Sequence, residues 1–139
     1  MRQVFDTLKV KTRGPGLYDV TADAVKFVRA AKIENGLLTC FIRHTSASLL
    51  IQENADPDVL SDLEAFMRRI VSRDPKLYRH TTEGPDDMPS HIRSALTATS
   101  LSIPLQGGEW TLGTWQGLYV FEHRDAPHTR DVMLHLIGE

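Results

Sequence analysis

Cysteine is almost absent from this chain: Cys40 is the only one in 139 residues. That excludes an intrachain disulfide and any zinc site built on cysteine pairs, and inside the apolar run 37–42 a lone thiol reads as a small core residue. Charge of one sign is lacking too, since 16 Lys and Arg against 18 Asp and Glu leave a formal net charge of -2. Holding nucleic acid by its phosphates needs a concentrated basic surface, so no nucleic-acid partner is expected. No apolar run approaches the length of a membrane span, and the N-terminal stretch alternates instead of running apolar. Neither membrane contact nor a targeting signal is expected, and the cytoplasm is the expected compartment. Internal repeats and low-complexity tracts are missing, as are a Gly-x-x-x-x-Gly-Lys phosphate loop and a glycine-flanked nucleophilic serine. Nucleotide hydrolysis and a covalent serine mechanism are therefore disfavoured.

What remains is an ordinary globular composition, 41% hydrophobic and 24% charged, at the length of one domain spanning 1–139. Alternation predicts a strand over 3–12 ending at the turn "RGPG", and "LYDVT" reads as a second strand. Val25, Val28 and Ala31 recur at helical spacing, giving a helix over 22–33, capped by Thr21 or Asp23 and ended near Gly36. In the next strand Leu38, Cys40, Ile42 and His44 share one face, so His44 emerges where that face stops being buried. After the bend "TSA", residues 49–51 read as its partner strand, which delivers Gln52, Glu53 and Asn54 at the far end. Asp56 before Pro57 is a helix start, because the carboxylate accepts orphan amide hydrogens and proline fits the first turn. Leu60, Leu63, Met67 and Ile70 form the expected inward stripe of that helix, with Glu64, Arg68 and Arg69 outward. A long polar insertion, "RDPKLYRHTTEGPDDMPSH", has the character of a functional loop. It leads to a third helix near Pro89, with Ile92, Ala95 and Leu96 inward and His91 in its first turn. The remaining segments are strands by composition, so the class is α+β, mainly antiparallel sheet packed with two to three helices.

Six histidines are the conspicuous chemical resource, imidazole being both a common metal ligand and a proton carrier near neutral pH. No His-x-x-x-His or His-Glu-x-x-His spacing occurs, so a metal site rests on context. His44 at a strand end, His80 in the loop and His91 at a helix start could converge on one divalent cation with an open position, or they are unrelated surface and capping histidines. Glu53, Asp56 and Asp58, with Glu83, Asp86 and Asp87, could act as bases or oxygen ligands, or serve as caps and turn formers. Asn54 either fixes a ligand or pins a loop. In "LGTWQG", Gly113, Thr114, Trp115 and Gln116 offer a hydroxyl, a ring face and an amide suited to a small polar ligand, or make a strand start with a packing tryptophan.

The motifs "RHTSASLLIQENADPDVLSDLE", "YRHTTEGPDDMPSHIRSAL", "SIPLQGGEWTLGTWQGLYVFEHR" and "LIGE" together resemble the YjbQ family, small proteins linked to secondary thiamine-phosphate synthase activity. The resemblance covers nearly the whole chain. It implies a YjbQ-like α+β domain, commonly a homotrimer, with histidine-rich motifs near subunit contacts. The family's His-Thr-Ser-Ala element falls on His44, Thr45, Ser46 and Ala47, and its Glu-Asn segment before Asp-Pro on Glu53 and Asn54. Its Tyr-x-His falls on Tyr78 and His80, and its Glu-His-Arg on Glu122, His123 and Arg124. Where the family often carries asparagine ahead of the helix histidine, this chain has Asp87, whose charge could strengthen a cation site or weaken phosphate binding.

The resemblance implies a site in which His44, Thr45, Ser46, Glu53 and Asn54 carry chemistry. Asp87, Thr114, Trp115, Gln116, Arg124 and Arg130 would bind ligand, while His44, His80 and His91 would hold zinc or magnesium. The implied reaction joins an aminopyrimidine pyrophosphate to a thiazole phosphate, with Arg124 or Arg130 helping the pyrophosphate leave. A metal or small-ligand binding module without turnover, a structural homotrimer, and a hydrolase of a small phosphorylated metabolite are the alternatives.

Overall fold

The alternation read at 37–44 shapes the middle of the molecule. In the computed structural model, which describes all 139 residues, strand β3 (Gly36–Ile42) buries Leu38, Cys40 and Ile42 and exposes Leu37 and Phe41. It lies third in an antiparallel sheet of order β1-β8-β3-β5-β6, with β1 Arg2–Thr12, β8 His128–Gly138, β5 Ser100–Gln106 and β6 Glu109–Trp110. A second antiparallel sheet has the order β2-β7-β4, with β2 Gly16–Asp19, β7 Gln116–Glu122 and β4 Ala47–Glu53. Leu38, Leu134 and Leu136 of the larger sheet meet Leu49, Leu118 and Val120 of the smaller one in a common core. Helix α1 (Thr21–Ala31) enters that core with Ala24, Phe27, Val28 and Ala31. The class is α+β, as the sequence implied.

Strand β4 departs from expectation, for it pairs with β7 and not with β3. Both edges of β3 are already taken, by β8 and β5, so the bend at 43–46 carries the chain across to the other sheet. That crossing puts His44, Thr45 and Ser46 at the junction of the two sheets. Helix α1 also ends earlier than expected, with Lys32 in the left-handed region at φ 52°. Gly36 serves a different purpose: a Cβ there would lie 2.3 Å from the Ile137 carbonyl oxygen, so the close approach to β8 requires its absence.

Helix α2 (Pro57–Ile70) begins as read, Asp56 accepting from the Asp58 amide with Pro57 in the first turn. Its buried face is rotated from the expected stripe. Met67 is buried, Leu60 and Leu63 are half-buried, Ile70 is exposed, and Glu64 is buried. The acid is tolerated inside because Arg68, one turn on, pairs with it at 3.1 Å. Burial raises the Glu64 carboxyl above the usual range, and the charges of Arg68 and Arg93 oppose that rise.

The polar insertion contains a short 3-10 turn at Pro75–Leu77 and ends in helix α3 (Asp87–Leu96). Here too the inward face differs from the expected stripe. Ala95 and Leu96 are exposed and Ile92 is half-buried, while Asp87, Ser90, Arg93 and Ser94 are buried. Hydrogen bonds explain this reversal: Ser90 donates to the His123 carbonyl at 2.7 Å and Ser94 to the Ala47 carbonyl at 3.1 Å. The helix is docked by polar side chains onto the ends of β4 and β7, and this brings its first turn beside the sheet junction.

Candidate metal centre

Asp87 and His91 stand one helical turn apart at the start of α3, so their side chains lie on one face. The preceding loop returns His80 to the same place. His80 Nε2 lies 2.6 Å and His91 Nε2 3.1 Å from a single oxygen, Asp87 Oδ2. One donor atom from each of the three residues falls within 4.8 Å of the others. Tetrahedral ligands about 2 Å from a common zinc ion stand about 3.3 Å apart, so these hydrogen-bonded separations would widen by a few tenths of an ångström to admit the ion. The cluster opens outward, for Asp87 is only 2% exposed in its side chain whereas His91 is 30% and His80 44% exposed.

Neighbouring groups fix the orientation of each member. His91 Nδ1 faces the Thr45 carbonyl oxygen at 2.9 Å, to which it can only donate, so in the neutral ring Nε2 carries a lone pair toward Asp87. A lone pair beside a carboxylate oxygen requires a proton or a cation between them, and the donor set fits a cation there. On the other side Arg124 donates to Asp87 Oδ1 at 2.7 Å and to Asp86 Oδ2 at 2.9 Å. Burial pushes the Asp87 carboxyl up, but hydrogen bonding from His80, the charge of His91 when a proton rather than a cation sits between that ring and the carboxylate, and the charge of Arg124 prevail and hold it below the ordinary range. The oxygen offered to a cation is ionised.

His44 does not join this group. Its Nε2 accepts from the Asp131 amide at 2.8 Å, and its Nδ1 lies 3.3 Å from Arg130 Nη1. Burial, with the charge of Arg130, lowers its basicity, so the ring is neutral and its free electron pair is already engaged. Thr45 contributes its carbonyl to His91, and Ser46 accepts from Arg130 through both Oγ and its carbonyl.

The remaining candidates are held by the fold. Arg130 grips Glu122 through Nε at 2.8 Å and Nη2 at 2.6 Å, both residues being buried, and Thr12 donates to the same carboxylate. Arg124 is likewise committed to Asp86 and Asp87, so neither guanidinium is free for an incoming anion. Glu53 accepts from the amides of Ala55 and Asp56 ahead of α2. Asn54 donates to the carbonyls of Thr114 and Gln116, which pins the loop there, and Gln116 accepts from the Gly113 amide. Trp115, at the tip of that pinned turn, is 65% exposed.

A second polar assembly escaped the sequence reading. Ser48 Oγ lies 2.9 Å from His123 Nε2, and Thr97 Oγ1 lies 2.6 Å from Ser48 Oγ. Ser48 and His123 are buried, and desolvation together with the charge of Arg93 pushes the His123 imidazole down to about 3. No sequence spacing marks this set, which only the pairing of β4 with β7 and α3 assembles.

The family model described as UPF0047 protein YjbQ-like matches residues 6–139. The chain belongs to the YjbQ family. It is 51% identical over 138 residues to UPF0047 protein sll1880 of Synechocystis, covering 99% of this chain and 94% of that protein. It is 40% identical to the YjbQ of Escherichia coli O157:H7, covering 96% of each. Among solved structures, an uncharacterised YjbQ/UPF0047 protein of Clostridium acetobutylicum superimposes with TM-score 0.82 at 31% identity, over 96% of this chain and 99% of that one. A YbjQ-like protein of unknown function from Sulfolobus solfataricus P2 shares the fold with TM-score 0.91 at 20% identity, over 99% of each chain. No helix of this YjbQ-family chain is long and apolar enough to cross a membrane.

Proposed function

We propose that this YjbQ-family protein is a metal-dependent enzyme acting on a small molecule, with His80, Asp87 and His91 as its metal ligands. The observation that carries the reading is the convergence of two imidazole nitrogens on one ionised, buried carboxylate oxygen at 2.6 and 3.1 Å, with the fourth side open. Two nitrogen donors favour zinc over magnesium, which prefers an all-oxygen shell. Such an ion supplies Lewis-acid stabilisation of negative charge that develops on a substrate oxygen. Asp87 supplies the anionic ligand, the Thr45 carbonyl fixes the His91 tautomer, and Arg124 keeps the carboxylate aimed.

Within this reading, the motif resemblance favours transfer between an aminopyrimidine pyrophosphate and a thiazole phosphate. Because Arg124 and Arg130 are both ion-paired, the departing pyrophosphate would depend on the metal for charge neutralisation. The test is thiamine phosphate formation from the two half-substrates at rising zinc, comparing the unaltered protein with a folded His91→Ala variant. Multiple turnovers that follow zinc and vanish in the variant support the synthase. Zinc binding without product leaves a metal-binding module or an enzyme for another metabolite.

A homotrimer is a second proposal, supported by a different surface. The face of the five-stranded sheet turned away from the core exposes Phe5, Leu37 and Phe41, with the half-buried Met133 and Ile137 adjacent in register. Thr39 and His135, the latter stacked on Phe5, lie between them, and soluble monomers rarely leave so apolar a face uncovered.

A further inference from the structure

The loop that supplies His80 also lines a half-open cavity of about 190 Å³. Pro75, Tyr78, Pro85, Met88 and Pro89 line it together with the His80 ring, Gly84 and Thr81 complete its rim, and no carboxylate, ammonium or guanidinium lines it. Tyr78 donates its hydroxyl to the Ser72 carbonyl at 2.5 Å, so its polar end is satisfied and its ring is left to line the space. Three prolines with fixed φ make those walls stiff, which favours a preformed shape. A cavity of roughly 150 Å³ is known to take one benzene molecule, so this space matches a single six-membered ring with small substituents. His80 belongs both to this wall and to the ligand cluster, and Met88 and Pro89 directly follow Asp87, so the apolar space and the three donors are contiguous.

We infer that the site selects compounds built on one uncharged ring, aromatic or heteroaromatic, seated in this cavity while an attached chelating head reaches the His80–Asp87–His91 cluster. The inference rests on the metal-centre reading above. A charged or polyhydroxylated body is disfavoured in the cavity, because the Thr81 hydroxyl and the His80 ring are too few polar groups to replace its lost hydration. A short acyclic chelator gains only the head contact.

The experiment uses two probes that share a head and differ in body, benzohydroxamate and acetohydroxamate, titrated calorimetrically into the zinc-loaded protein. The expected result is binding of the phenyl compound about tenfold tighter or more. Thr81→Phe, which fills the cavity from its rim, should bring the ratio to about one while zinc affinity, measured by chelator competition, stays unchanged. Methyl-labelled Met88 provides a check independent of any variant: its resonance should shift with benzohydroxamate and stay in place with acetohydroxamate. Equal affinities, a preference that survives filling of the cavity, or an unmoved Met88 methyl in the phenyl complex would overturn the ring inference alone. Failure to bind zinc at all would overturn the metal centre and this inference together.

Discussion

Arg124 and Asp87 are locked together at 2.7 Å from the side opposite the two histidines, so one carboxylate oxygen is held by the guanidinium and the other is presented to the imidazoles. Replacing Arg124 with alanine leaves Asp86 and Asp87 without their shared cation. Zinc affinity should fall by about 10- to 100-fold, as when an outer-shell partner of a ligand is lost. Stability should fall by about 3 kcal/mol. Arg124→Lys should recover part of the stability and less of the affinity, because lysine cannot bridge both acids in one plane. Calorimetric zinc titration and urea unfolding of the two variants measure these effects separately.

The buried Glu122–Arg130 pair is the second test. Burial raises the Glu122 carboxyl, but hydrogen bonds from Arg130 and Thr12 outweigh it, leaving the folded value below the usual one. Its stabilisation is therefore present above the ordinary glutamate range and is lost as pH falls through the depressed folded value. Glu122→Gln strands a guanidinium that is only 4% exposed and should cost about 3–5 kcal/mol near neutral pH. Urea unfolding of the variant at neutral pH would show the loss, and the variant should also lack that part of the acid sensitivity.

His123 works in a higher pH window. Its ring is held down to about 3 by burial first and then by Arg93, with Glu122 opposing and Arg130 reinforcing. An unfolded histidine takes up a proton below about 6.5, whereas the folded one does not until about 3, so stability is complete above the first value and declines toward the second. Between about pH 7 and pH 5 this residue alone should remove about 2 kcal/mol. His44 adds to the slope with the same sign. His123→Gln should flatten most of that slope in urea melts at the two pH values, even though the variant starts less stable.

Assembly has a direct probe in Phe41, which is 45% exposed on the open sheet face. Phe41→Asp places a charge where apolar contact between copies is proposed and should convert an oligomer into monomer in sedimentation velocity. An unchanged sedimentation coefficient would move the interface elsewhere.

How far the sequence could be read depended on periodicity. Period-two alternation located Leu38, Cys40 and Ile42 on the buried face, and Asp56-Pro57 located the start of α2, because both signals are local. The buried faces of α2 and α3 depart from their apolar stripes because Glu64 is buried against Arg68, one turn on, while Ser90 and Ser94 are buried through carbonyls distant in sequence, none of which hydrophobic periodicity reveals. The cluster was half visible: Asp87 and His91 stand four apart, but the return of His80 depends on the path of an irregular loop. His44 shares their residue type and stands at a strand end, but the structure commits it to Asp131 and Arg130.

The pairing of β1 with β8 carries a consequence for synthesis. Arg2 faces Gly138 and Thr12 faces His128, so β1 finds its hydrogen-bonding partner only in β8, at the far end of the domain. Throughout translation β1 waits as an unpaired edge, with Phe5 uncovered. The larger sheet closes only once β8 has emerged from the ribosome, so the pairing of its two long strands is a late step of folding.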